Sequence, residues 1–156
     1  MGHCIQAIIA APEVADFLQS ACPQLPRVVA RQGFVILPID ADFIDSVTDA
    51  RPSQSSESFM LLTDPFQDFL RELSRYGRVA YIETEYFGGA GGQGAAVYSD
   101  RQVIMEPEWG ESGPINRALE IMSVKRSLLG DRFTALGLDA YRSNDDLIDA
   151  AMKRLQ

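Results

Sequence analysis

Between Val79 and Met105 three strand-like segments follow one another with no helical pattern between them, and this constrains the fold more than any other feature of the sequence. VAYIETEYF is dense in β-branched and aromatic residues, and AAVYS and QVIME have the same character. The last two meet at Asp100-Arg101, a two-residue connection of unusual composition, because Asn-Gly or Asp-Gly is the common choice for a tight hairpin. Residues 79–87 are expected to form an inner strand, with a hairpin over 95–105 beside it. Strands in direct succession do not fit a strictly alternating βαβ winding. They point to an α+β fold with a mixed or mainly antiparallel sheet covered by helices. A length of 156 residues suits a single domain spanning 1–156.

The flanking segments supply the helices. CIQAIIA reads as a first strand, and Pro12 opens a helix whose stripe is Val14, Phe17, Leu18 and Ala21. RVVARQGFVILPI reads as two strand pieces divided by a turn or bulge at Arg31-Gln32-Gly33. Asp40 caps a short helix carrying Phe43, Ile44 and Val47, and RPSQSSES is a polar loop. Asp64-Pro65-Phe66-Gln67 predicts a helix start with Asp64 as the cap. The stripe Phe66, Phe69, Leu70, Leu73 and Tyr76 follows, and Gly77 closes it in the left-handed position. Gly113-Pro114 starts a further helix, Arg132 to Leu136 form a short turn of helix, and Ser143 with Asp146 predicts a capping box for the last one.

The glycines after VAYIETEYF invite a nucleotide-binding reading. Gly89-Ala90-Gly91-Gly92-Gln93-Gly94 matches G-x-G-x-x-G, a motif that aims a helix N-terminus at a pyrophosphate. Here a strand follows instead of a helix, and no βαβ unit carries the expected acidic residue. The tract from Gly88 to Gly94 is therefore expected as a connection between strands. Two readings stand open: a wide, flexible turn, or a binding loop whose glycines allow another backbone or a ligand to come close.

On a strand, Glu83 and Glu85 share a face about 6.5 Å apart, together with Val79, Tyr81 and Phe87, while Thr84 and Tyr86 face the other way. Two carboxylates so placed suit general acid–base chemistry or a cation, and equally suit a solvated face. His3 is the one histidine, and its strand neighbour Cys4 points to the opposite face, so no His3–Cys4 dyad is expected. Trp109 falls in EPEWGESGP, read as a polar loop, where it anchors an interface or folds back over the sheet edge. The candidate binding residues are Glu83, Glu85, Tyr86, Gly89, Gly91, Gln93 and Trp109. No residue is assigned a catalytic role, and no metal ligand or cofactor is expected, because no Cys or His cluster accompanies the acids.

Composition narrows the partners. The formal charge of −8 disfavours nucleic acid and anionic membrane surfaces. No segment approaches the roughly 20 apolar residues of a membrane span, and the amino-terminal segment lacks a basic signal region, so a cytoplasmic location is expected. YIETEYFGG with Gln93 after it, PINRALEIM, FTALGLDAY and the final S-x-x-D helix together resemble, in order and spacing, a group of small bacterial proteins to which no activity is attached. The resemblance covers most of the chain. It implies a small cytoplasmic bacterial protein in which the Glu-Thr-Glu strand and the glycines belong together, and it implies no catalytic residue. Two functions follow from the residues: a non-enzymatic acidic binding protein, such as an inhibitor or immunity-type partner of a basic protein, or a small-molecule enzyme or ligand binder using Glu83, Glu85 and the Gly88–Gly94 loop.

Overall fold

The apolar runs become six strands: β1 (His3–Ala10), β2 (Val28–Val29), β3 (Val35–Pro38), β4 (Val79–Phe87), β5 (Ala90–Ser99) and β6 (Gln102–Gly110). The structure is a computed structural model, and it describes residues 2–48, 54–56, 58–88, 90–128 and 130–154. The strands form one sheet in the order β2-β3-β1-β4-β5-β6, and every neighbouring pair is antiparallel. β4 is an inner strand, paired along its length with β1 on one side and β5 on the other.

Helices cover both faces. On the first lie α1 (Pro12–Ala21), α2 (Ala41–Val47) and α3 (Asp64–Leu73); on the second lie α4 (Pro114–Ile121), α5 (Arg132–Leu136) and α6 (Asn144–Arg154). The strand period of two sorts the core accordingly. Ile8, Val35, Leu37, Val79, Tyr81, Ala96 and Tyr98 meet Val14, Leu18, Ile44, Phe66, Leu70 and Leu73. Ile5, Ala7, Ile9, Ile36, Ala80, Ile82, Ala95 and Val97 meet Ile115, Leu119, Leu136 and Leu147. Each fully buried large side chain contributes about 1.5–3 kcal/mol relative to exposure, so burial on both faces makes this sheet the centre of stability.

Several local features follow the sequence, with corrections. Asp40 caps α2, accepting from the Phe43 N–H. The cap of α3 is Thr63, not Asp64: its Oγ1 accepts from the Phe66 N–H, and Asp64 becomes the first helical residue. Gln67 is thereby freed from capping; its amide donates to Ser56 Oγ and accepts from the Tyr98 hydroxyl. Gly77 does not take the left-handed helical conformation, because a 3₁₀ turn at Ser74–Tyr76 intervenes and Gly77 sits at φ 155°, ψ 169°. At α6, Ser143 Oγ accepts from the Asp146 N–H, but the Asp146 carboxylate reaches back to the Arg142 N–H rather than to that of Ser143.

The hairpin between β5 and β6 turns on Asp100 and Arg101, at φ 51° and 67°. Two left-handed residues in succession match the type I′ turn, whose twist suits a two-residue hairpin. Residues other than glycine are held there at a cost, and Ser74 supplies compensating bonds. Its carbonyl accepts from the Asp100 N–H and its hydroxyl from the Arg101 N–H. The sheet edges are blunt: β2 has two residues, and β6 carries Pro107 between exposed Glu106 and Glu108 and breaks register against β5.

Candidate functional site

The glycine tract is not a loop. β5 begins at Ala90 and pairs in continuous register with β4, Tyr86 opposite Gly91, Glu85 opposite Gly92 and Glu83 opposite Gly94. The expected flexible connection shrinks to the turn after Phe87, where Gly88 lies and where Gly89 falls outside the described residues. The glycines serve close approach within the sheet. Gly91 sits at φ 141°, and a Cβ there would fall 1.9 Å from the Glu85 carbonyl oxygen. A Cβ on Gly92 would meet the Trp109 indole nitrogen at 2.5 Å, and one on Gly94 would meet both Phe59 and Trp109 at 2.5 Å. Trp109, which belongs to β6 and not to a loop, therefore lies flat on β5 backbone, edge-to-face with Phe59 at 5.4 Å between centroids. Aromatic rings laid over strand glycines restore the apolar cover that the missing side chains would have given.

Glu83 and Glu85 share a face, as the strand period requires, yet their surroundings differ. Glu83 is 2% exposed. Its oxygens accept from the Met60 N–H at 2.7 Å, the Leu61 N–H at 2.9 Å and the Tyr81 hydroxyl at 2.7 Å. Burial holds the Glu83 carboxyl above its usual value, and these three donors offset only part of that rise. Burial, with the Glu83 charge beside it, also holds the Tyr81 hydroxyl well above the usual tyrosine value. Glu83 thus fastens the Met60–Leu61 segment onto β4, and both its oxygens are occupied. Glu85 is exposed, two residues nearer the hairpin end. A paired acid–base mechanism needs both carboxylates open to one substrate, and here only Glu85 is open.

Around Glu85 is a shallow hollow of about 500 Å³ lined by Ser58, Glu85, Phe87, Ala90, Gly91, Gly92 and Trp109. Phe87 stands on its rim, 85% exposed. Tyr86 and Gln93 are on the opposite face and are engaged there. The Gln93 amide donates to the Tyr86 hydroxyl at 3.1 Å and accepts from the Ile115 N–H at 2.9 Å, while Tyr86 donates to the Glu111 carbonyl. Both tie the start of α4 to the sheet. The structure therefore gathers Glu85, Gly91 and Trp109 at one surface, puts Glu83 beneath it, and sends Tyr86 and Gln93 elsewhere. Phe87 and Ser58 join the surface, with buried Phe59 packed against Trp109 behind it, and none of the three is among the sequence-based candidates. The sequence signals for Phe87 are its place on the glutamate face and its position as the last apolar residue before the glycines.

His3 also belongs to the other face. Its Nδ1 lies 2.6 Å from Thr84 Oγ1, and its ring tilts against Phe133. Nε2 is buried without a hydrogen-bond partner among the described residues, and burial lowers the imidazole below its usual value. Cys4 is exposed and does not contact it as a dyad would. Among the described residues no group of three or more His, Cys, Asp or Glu side chains is placed to hold a metal ion, and no helix is long and apolar enough to cross a membrane. Compared with protein-family models, with curated proteins and with solved structures, the chain matches none of them.

Proposed function

We propose that the protein is a non-enzymatic binding protein that receives a basic segment of a partner protein at the end of the β4–β5 hairpin. The observation that carries this reading is Phe87, exposed beside Glu85 at the end of the hairpin, where Ala90 and Gly91 are exposed as well. An exposed aromatic of this size at a strand end is a ready anchor for a partner. Glu85 forms no salt bridge with a described residue. An arginine or lysine can stack on Phe87 or Trp109 and place its charge against Glu85. The charge of −8 adds long-range attraction for a basic partner. Against the enzymatic alternative stands the occupation of both Glu83 oxygens.

Titration of ¹⁵N-labelled protein with an arginine-glycine nonapeptide tests the reading. Saturable shifts are expected at Glu85–Phe87, Ala90–Gly92 and the Trp109 indole N–H, weakening with added salt. Shifts spread over the whole acidic surface would reduce the contact to non-specific charge attraction and overturn the site.

A further inference from the structure

A second cavity lies where β3 stops short of its longer neighbour β1. β3 ends at Pro38, opposite Ala7, while β1 runs on to His3. Asn144, at the start of α6, closes the gap: its carbonyl oxygen accepts from the Gln6 N–H at 2.9 Å and its amide donates to the Ile39 carbonyl at 2.8 Å. Beyond this junction the two helical layers part. The cleft between them has a volume of about 640 Å³, within the range of small-ligand sites. One wall is the first turn of α2, the second is the first turn of α6, and the third is the segment between α1 and β2. Pro23 and Pro26 stiffen that third wall, so its shape does not have to be organised on binding.

The lining has two parts. Leu25, Ile39, Phe43 and Ile148 give an apolar surface. Asp40 and Asp42 come from α2 and Asp145 from α6, and no basic side chain lines the cleft. None of the three carboxylates forms a salt bridge with a described residue. Both helices begin at the cleft, and each helix N-terminus offsets roughly half a unit of negative charge. The remainder is a charge of about −2, contributed from two different walls with hydrocarbon between them. All three residues are exposed, so they set the sign of charge the open cleft favours: an anion is repelled here and a cation attracted.

We propose that this cleft binds an aliphatic diamine, an organic dication whose ammonium groups meet Asp40 and Asp42 on one side and Asp145 on the other while its methylene chain covers Ile39, Phe43 and Ile148. The proposal is separate from the hairpin surface and shares no residue with it.

The test uses 1,8-diaminooctane as the probe, with n-octylamine and 1,8-octanediol as the singly charged and neutral comparisons, at fixed ionic strength and with amide resonances followed by NMR. The diamine is expected to shift resonances of residues 22–26, 39–46 and 144–148 saturably, and to bind at least tenfold more tightly than either comparison. It is also expected to slow alkylation of Cys22, which lines the cleft, and not of Cys4, which is exposed elsewhere. The variant D42N/D145N, its folding checked by thermal melting, is expected to lose tenfold or more in affinity. F87A is expected to bind the diamine as the parent does, so this proposal and the hairpin reading fail independently. Equal affinity for the diol would make the cleft merely apolar. Non-saturating shifts across the surface would make the diamine a counter-ion only, and tight binding of a lysine peptide without binding of the diamine would assign the cleft to a protein segment. Each of these outcomes overturns the proposal.

Discussion

The two halves of the β4–β5 ladder share one register and differ in what covers them. In the inner half, Val79–Ile82 lie against Ala95–Tyr98, and side chains on both strands pack into the helical layers above and below. In the outer half, Glu83–Phe87 lie against Ala90–Gly94, three of whose five positions are glycine. Backbone pairing is the same throughout, so the ladder does not need side chains to continue. Cover is what changes. The inner half is covered by its own residues, and the outer half borrows Phe59 and Trp109 for one stretch, a carboxylate clamp for another, and nothing at Phe87. A sheet extended beyond its own core leaves backbone and rings available to a partner.

The largest effect expected comes from the inner half. Leu73 is 3% exposed and packs in the same cluster as Val79 and Tyr81. Leu73→Ala is expected to cost about 2–5 kcal/mol in a urea titration; a loss below about 1 kcal/mol would mean α3 contributes little cover and would collapse the contrast. Next comes Gly94→Ala, whose methyl group displaces two rings and is expected to cost about 1–3 kcal/mol, with a change in Trp109 fluorescence. An unchanged emission would show that the rings do not rest on β5.

Glu83→Gln sharpens the comparison within the outer half itself. The new NH₂ replaces an acceptor that faces two N–H groups and a hydroxyl, so a loss of about 1–3 kcal/mol is expected near neutral pH. That loss depends on pH with a definite sign. The Glu83 carboxyl is raised in the folded state, so protonation adds to that loss a further stabilising part that is complete below the unfolded value and falls away as pH rises through the folded one. The gap between parent and Glu83→Gln is therefore expected to widen as pH is lowered toward the glutamate range. A gap independent of pH, measured across a series of urea titrations, would put the carboxylate in solvent. The smallest effect belongs to Phe87→Ala, expected to change stability by less than about 0.5 kcal/mol while abolishing binding of the basic peptide. A clear loss of stability there would show that Phe87 has cover after all.

What the sequence made legible was local. The strand at 79–87, its glutamate face and the turn at Asp100-Arg101 follow from period-two patterning over a few residues. The glycine tract departs from the loop its composition predicts because its cover comes from elsewhere: Phe59 lies far upstream, and Trp109 arrives through β5–β6 pairing. EPEWGESGP is dense in proline and glycine and so predicts a loop at Trp109, yet Pro107 is tolerated where the strand is an edge. At α3, two adjacent residues were each able to cap, and one bond from the Phe66 N–H to Thr63 decided between them. The burial of Glu83 depends on Met60 and Leu61 folding over it, a contact that no spacing along β4 encodes.

The position of β1 has a consequence in time. Its pairs with β4 run from Ala10 opposite Val79 to His3 opposite Tyr86, each closing a loop of roughly 70–80 residues. At a synthesis rate of about 5–20 residues per second, β1 waits about 4–15 s on the ribosome before its partner in the middle of the sheet exists. During that interval β3 is the one partner strand already made, and it covers only Ala7 to Ala10. The segment His3–Ile5 stays unpaired until β4 emerges, which makes the nascent chain most open to chaperone capture before residue 79 is made.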